Sequence, residues 1–133
     1  MNKIEHIGIA VKDLEKSNQL FASLFCKSHY KIEEIISEGL KTSFFKSGPN
    51  KIELLEATNP NSPIAKFIEK KGEGIHHIAF AVDDIISEIN RLKKEGFTVL
   101  NETPKKGADN KLVAFLHPKT TNGVLIELCQ EDN

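Results

Sequence analysis

The 133-residue sequence predicts an α+β domain of two tandem βαβββ modules, and three observations carry that expectation. The stretch Ile4-Glu5-His6-Ile7-Gly8-Ile9-Ala10-Val11-Lys12-Asp13-Leu14 returns without gaps as Ile75-His76-His77-Ile78-Ala79-Phe80-Ala81-Val82-Asp83-Asp84-Ile85, with Ile, His, Ile, Ala, Val and Asp at matching places. Lys51-Ile52-Glu53-Leu54 is echoed by Leu125-Ile126-Glu127-Leu128. Each His-bearing stretch runs into a helix signal. A repeat offset near half the chain, supported at both a His and a Glu, reads as an internal duplication.

The elements follow in order. The opening strand spans about Lys3 to Val11. Asp13 then stands as a helix N-cap, with Leu14, Leu20, Phe21, Leu24 and Phe25 at helical spacing behind it. Tyr30 to Ile36 and Leu40 to Lys46 read as strands with Gly39 at the bend between them. Gly48-Pro49-Asn50 is a hairpin turn, and Lys51 to Glu56 returns as the Glu53 strand. Module one is thus about 1–58. Ser62 as N-cap, Pro63 at the first helical position and Gly72 at the end mark a linker helix over about 62–72. Module two, about 74–133, repeats the plan. Asp84 caps a helix carrying Ile85, Ile86, Ile89 and Leu92, which Gly96 closes. Phe97 to Leu100, Lys111 to His117 and Val124 to Cys129 supply three strands, with Thr121-Asn122-Gly123 as the last turn.

Successive side chains on a strand point to opposite faces. Ile7, Ile9 and Val11 therefore share a face with Glu5, and His6 shares the other with Ile4, Gly8 and Ala10. His77 goes with Ile75, Ala79 and Ala81, away from Ile78, Phe80 and Val82. Glu53 and Glu127 point away from their own Ile and Leu neighbours. The bulky faces are expected to pack on helices, and the Gly/Ala-lined faces to leave room for a ligand. His6, Glu53, His77 and Glu127 form a donor set of two imidazoles and two carboxylates suited to one divalent metal ion. Such mixed nitrogen and oxygen ligands suit Co, Mn, Ni or Zn better than Mg or Ca. His76 shares a face with Ile78 and Phe80 and is expected to pack, and a surface or structural role is the simpler reading of His29. Cys129 shares the face of Glu127 as small buried filler.

A formal net charge of −1 gives no reason to expect nucleic acid or an anionic membrane as partner. No N-terminal apolar run resembles a signal peptide, and no segment has the length of a membrane span. Cys26 and Cys129 suggest no disulfide framework, so the expected location is a reducing cytoplasm.

Several motifs together resemble the vicinal oxygen chelate superfamily and, within it, the methylmalonyl-CoA epimerases. They are His6-Ile7-Gly8-Ile9-Ala10-Val11, Ile52-Glu53-Leu54-Leu55-Glu56, Ser62-Pro63-Ile64-Ala65-Lys66-Phe67, Gly72-Glu73-Gly74-Ile75-His76-His77-Ile78-Ala79, Phe115-Leu116-His117-Pro118-Lys119 and Gly123-Val124-Leu125-Ile126-Glu127-Leu128. The resemblance implies a glyoxalase-like fold, a cupped mixed sheet around a metal with helices on its convex side. It selects the same four ligands, His6, Glu53, His77 and Glu127, and favours Co as the metal. It also implies an acyl-CoA substrate and a homodimer.

The activity implied is epimerisation of methylmalonyl-CoA at C2 through a metal-stabilised enolate, with one acid/base group on each face of the carbon. Glu127 is the candidate for one face and Glu38 for the other, Glu34 being a further candidate. Where the family often reads Glu-Gln-Gly this chain has Ser37-Glu38-Gly39, and where it reads Gly-Ala-His-Gly this chain has Gly107-Ala108-Asp109-Asn110. Lys66, Lys106 and Lys119 are candidates to meet CoA phosphates and His117 to line the site mouth, although a solvated lysine is the simpler reading of any one of the three alone and a structural or surface role the simpler reading of His117. A glyoxalase I type lyase would use the same ligands. A metal-free binding module would need none of them, and an extradiol dioxygenase would need only two His and one carboxylate.

Overall fold

The computed structural model describes residues 1–132. Its element order is β1(Lys3–Ala10), α1(Leu14–Phe25), β2(Lys31–Ile35), β3(Leu40–Ser47), β4(Asn50–Ala57), α2(Pro63–Lys71), β5(Gly74–Ala81), α3(Ile85–Lys94), β6(Lys105–Lys106), β7(Lys111–Leu116) and β8(Ile126–Glu131). The α+β expectation holds, and the βαβββ plan occurs twice, on either side of α2. The chain forms two compact units, one of Ile7–His76 and one of Met1–His6 with the residues from His77 onward.

In the Ile7–His76 unit, β2, β3 and β4 pair antiparallel in that order, with β1 next to β4. Asp13 caps α1 by accepting from the Lys16 N–H at 3.1 Å, and Glu56 accepts from the Leu14 N–H at 3.0 Å. The helix packs Leu14, Phe21, Ala22 and Phe25 on Val11, Phe45 and Leu54. Leu20 and Leu24, expected among its inward positions, lie on the opposite stripe and are exposed. Ser62 caps α2 by accepting from the Ala65 N–H at 3.1 Å, and Pro63 takes the first turn, where its missing N–H costs nothing. This helix covers Ala10 and Leu55 with Ile64, Phe67 and Ile68. Ala10 is therefore wholly buried, and the room expected at this end of the small-residue face is filled by α2.

In the other unit the order is β5-β8-β7-β6, with β5 parallel to β8 and the remaining pairs antiparallel. The Asn2 N–H donates to the Ala81 carbonyl at 2.8 Å, tying the start of the chain to β5. Asp84 caps α3, whose Ile85, Ile89 and Leu92 bury against Val82, Ala114, Leu116 and Leu128. Register places Ala79 opposite Glu127, and Phe115 opposite Glu127 from the other side. Ala79, Val113 and Cys129 with Phe115 form a second small core on this face, so Ala79 too is fully buried rather than lining open space.

The strand expected at Phe97 to Leu100 is replaced by a single bridge from Val99 to Leu116. The Asn101 side chain explains the interruption. Its Nδ2 donates to the Val113 carbonyl at 3.1 Å and its Oδ1 accepts from the Phe115 N–H at 2.9 Å. A side-chain amide thus takes the ladder positions a neighbouring strand would use. Pairing with β7 resumes only at Lys105–Lys106.

Candidate metal centre

His6, His77 and Glu127 arrive from three strands of one unit, β1, β5 and β8, and all three are buried. The Nε2 atoms of His6 and His77 lie 3.1 Å apart. Glu127 Oε1 is 3.1 Å from His77 Nε2 and 3.6 Å from His6 Nε2. The rings meet edge to face, with centroids 5.1 Å apart and an interplanar angle of 87°. Phe115 stands edge-on to His77 at 6.2 Å. Behind His6, its Nδ1 is 2.8 Å from Glu5 Oε1.

Burial alone would push the Glu127 carboxyl upward. The His6 and His77 imidazoles beside it outweigh that push and hold the group below its ordinary value. Glu127 is accordingly a carboxylate at neutral pH. Two ring nitrogens and a carboxylate oxygen whose ligand atoms all lie within 4.8 Å of one another fit a divalent first-row cation. Among the described residues one further group has this closeness, Glu5, His6 and Cys129. Burial pushes the Cys129 thiol up to about 12, with Glu127 adding to the rise.

Glu53 lies on β4 of the Ile7–His76 unit. It is buried, opposite Phe44 in register, and takes a 2.8 Å hydrogen bond from the Thr42 hydroxyl. Its neighbours Ile52 and Leu54 pack against α1, so the predicted separation of faces is observed.

The chain's sequence from residue 5 to residue 115 matches the profile described as "Glyoxalase/Bleomycin resistance protein/Dioxygenase superfamily". The chain belongs to this superfamily. Within it, this member is 39% identical over 132 residues to the ethylmalonyl-CoA/methylmalonyl-CoA epimerase of Cereibacter sphaeroides, covering 98% of each chain. It is 38% identical over 131 residues to the mitochondrial methylmalonyl-CoA epimerase of Homo sapiens, covering 98% of this chain and 74% of that one. It superposes on a variant of Streptomyces coelicolor methylmalonyl-CoA epimerase, solved in complex with 2-nitronate-propionyl-CoA, with a TM-score of 0.96, 31% identity and coverage of 100% and 99%. The likeness to methylmalonyl-CoA epimerases read from the motifs is borne out.

The other candidates fall outside this cluster. Glu38 ends a single 3-10 turn, Ile36–Glu38, and is half-buried. The His117 side chain caps the turn Pro118–Thr120, its Nδ1 accepting from the Lys119 N–H at 2.9 Å. Lys66 and Lys119 are exposed, and Lys106 pairs with Asp132 at 3.1 Å. His76 packs edge-on to Phe67 of α2 at 4.9 Å, in keeping with its expected structural role. Sequence reasoning missed Glu5. Alternation sends it to the face opposite His6, yet its side chain is long enough to bring the carboxylate back to the neighbouring ring.

Proposed function

We propose that this chain epimerises methylmalonyl-CoA at C2, and that His6, His77 and Glu127, with Glu53, hold the divalent metal ion on which the reaction depends. The observation that carries the reading is the buried His6–His77–Glu127 convergence in a chain so closely related to enzymes of that name. The donor set favours Co, Mn, Ni or Zn. A bound cation supplies Lewis acidity toward the thioester carbonyl, several kcal/mol of charge stabilisation at the acidified carbon.

The chain's own groups supply the rest. His6 and His77 present Nε2 atoms toward one point and keep it dry. Glu127, held as a carboxylate, takes or returns the C2 proton on one face. Glu38 serves the opposite face, since inversion requires a proton to leave one side and arrive on the other. Lys66, Lys106 and Lys119 contribute positive charge for the CoA phosphates, with His117 at the mouth. The acyl-CoA ester is the small-molecule partner, and the working form is a cytoplasmic homodimer. Among the described residues no helix is long and apolar enough to cross a membrane.

The deciding experiment strips the purified chain of metal and assays it with methylmalonyl-CoA, and with the methylglyoxal–glutathione adduct, before and after adding Co, Mn, Ni or Zn. Epimerisation restored by metal supports the reading. Turnover of the glutathione adduct alone, or epimerisation indifferent to metal removal, overturns it.

A further inference from the structure

We infer that Glu5 is the positioning residue of His6, fixing the ring so that Nε2 alone faces the cation; this rests on the metal reading proposed above. A carboxylate only accepts hydrogen bonds, so the 2.8 Å contact between Glu5 Oε1 and His6 Nδ1 places a proton on Nδ1. Nε2 is then the ring's lone-pair nitrogen. It is the atom that lies 3.1 Å from His77 Nε2 and 3.6 Å from Glu127 Oε1.

The surroundings make the contact consequential. Glu5 and His6 are only 5% and 6% exposed, and Cys129 beside them is 1% exposed. An ionised carboxylate in such a place is costly unless it is bonded, so the acceptor is retained against a penalty. Its charge behind the ring also raises the basicity of Nε2, the effect by which a carboxylate behind a histidine strengthens a metal ligand. The adjacency is local, since the two residues are consecutive on β1.

The test uses the full chain, 15N-labelled and metal-free, with long-range 1H–15N correlation of the histidine rings, the His6 signals being identified by their loss in His6→Gln. Wild type and Glu5→Gln, which keeps an acceptor oxygen, should show His6 protonated on Nδ1. Glu5→Leu should lose that pattern. Zn or Co affinity, measured by chelator competition, should fall about 10- to 100-fold in Glu5→Leu and less in Glu5→Gln. Glu5→Asp, whose carboxylate is one methylene short of the ring, carries the same expectation as Glu5→Leu should the latter not fold. A folded Glu5→Leu or Glu5→Asp protein that keeps the Nδ1 proton and the wild-type affinity overturns the inference. If wild type binds no cation while Glu5→Leu still changes the tautomer, the metal reading fails and the positioning role of Glu5 stands.

Discussion

The Nε2 atoms of His6 and His77 sit 3.1 Å apart although 71 positions separate the residues along the chain. Each ring nitrogen is a donor or a lone pair according to its proton. With His6 protonated on Nδ1, its Nε2 offers a lone pair, and a second lone pair from His77 at that distance would repel it. Either a proton or a cation must lie between them. Glu127 Oε1, 3.1 Å from His77 Nε2, adds negative charge to the same point and stabilises either one.

Removing one nitrogen should therefore break the site rather than the fold. His77→Ala should lose more than about 100-fold in Zn or Co affinity, exceeding the loss usual for a supporting residue. Equilibrium dialysis with elemental analysis measures it. Retention of near-wild-type metal by the folded variant would mean that His77 is no ligand.

Cys129 provides a pH test that needs no substrate. Burial, with Glu127 adding to it, pushes its thiol up to about 12, and Sγ donates to the Phe80 carbonyl at 3.5 Å. In the unfolded chain a thiol ionises at about pH 8.5. The native state keeps its proton while the unfolded state releases one. Stability from this group is thus complete below that pH and is lost as pH climbs toward 12, by up to about 1.4 kcal/mol per pH unit. Urea unfolding between about pH 9 and 11 should show a slope that Cys129→Ala flattens. At neutral pH a thiol reagent should label exposed Cys26 in the native protein and reach Cys129 only on unfolding.

His6, His77 and Glu127 were legible because duplication flags them twice and strand alternation sorts their faces. The helix starts were legible because Asp13, Ser62 and Asp84 cap through their own side chains. Two features were not. Glu5 is assigned by alternation to the wrong side, since the rule fixes where Cβ points and leaves a long side chain free to return. Phe97 to Leu100 has strand composition, but whether it pairs is decided by Asn101, whose amide bonds to Val113 and Phe115, partners more than ten residues away. The open faces inferred from Ala10 and Ala79 failed for a related reason: a small side chain also admits close packing, and Ile64 and Val113 take the space.

Gly39 should resist substitution more than Gly48. Both have positive φ, +63° and +62°. A Cβ on Gly39 would lie 2.5 Å from Asn59 Nδ2 and 3.0 Å from Ser62 Cβ, whereas one on Gly48 meets nothing within 4 Å. Gly48→Ala should cost only the left-handed strain, about 1–2 kcal/mol. Gly39→Ala adds a crowding cost of about 1–3 kcal/mol against the segment that caps α2. Chemical denaturation of the two variants checks the order, and equal losses would remove the crowding argument.

Glu127→Gln separates holding from proton transfer. The variant keeps an oxygen near His6 and His77 but cannot accept a proton from carbon as a carboxylate does. If Glu127 moves the C2 proton, kcat should fall roughly 100- to 10,000-fold, with KM changing far less. Deuterium wash-in at C2, followed by NMR in D2O, reads the proton step directly and should fall in parallel. Metal content measured on the same sample distinguishes the two roles. Loss of metal together with activity makes Glu127 chiefly a ligand, and retained metal with lost exchange makes it the base. Normal exchange with metal bound removes it from the chemistry and leaves Glu38 to be tested as the sole acid/base group.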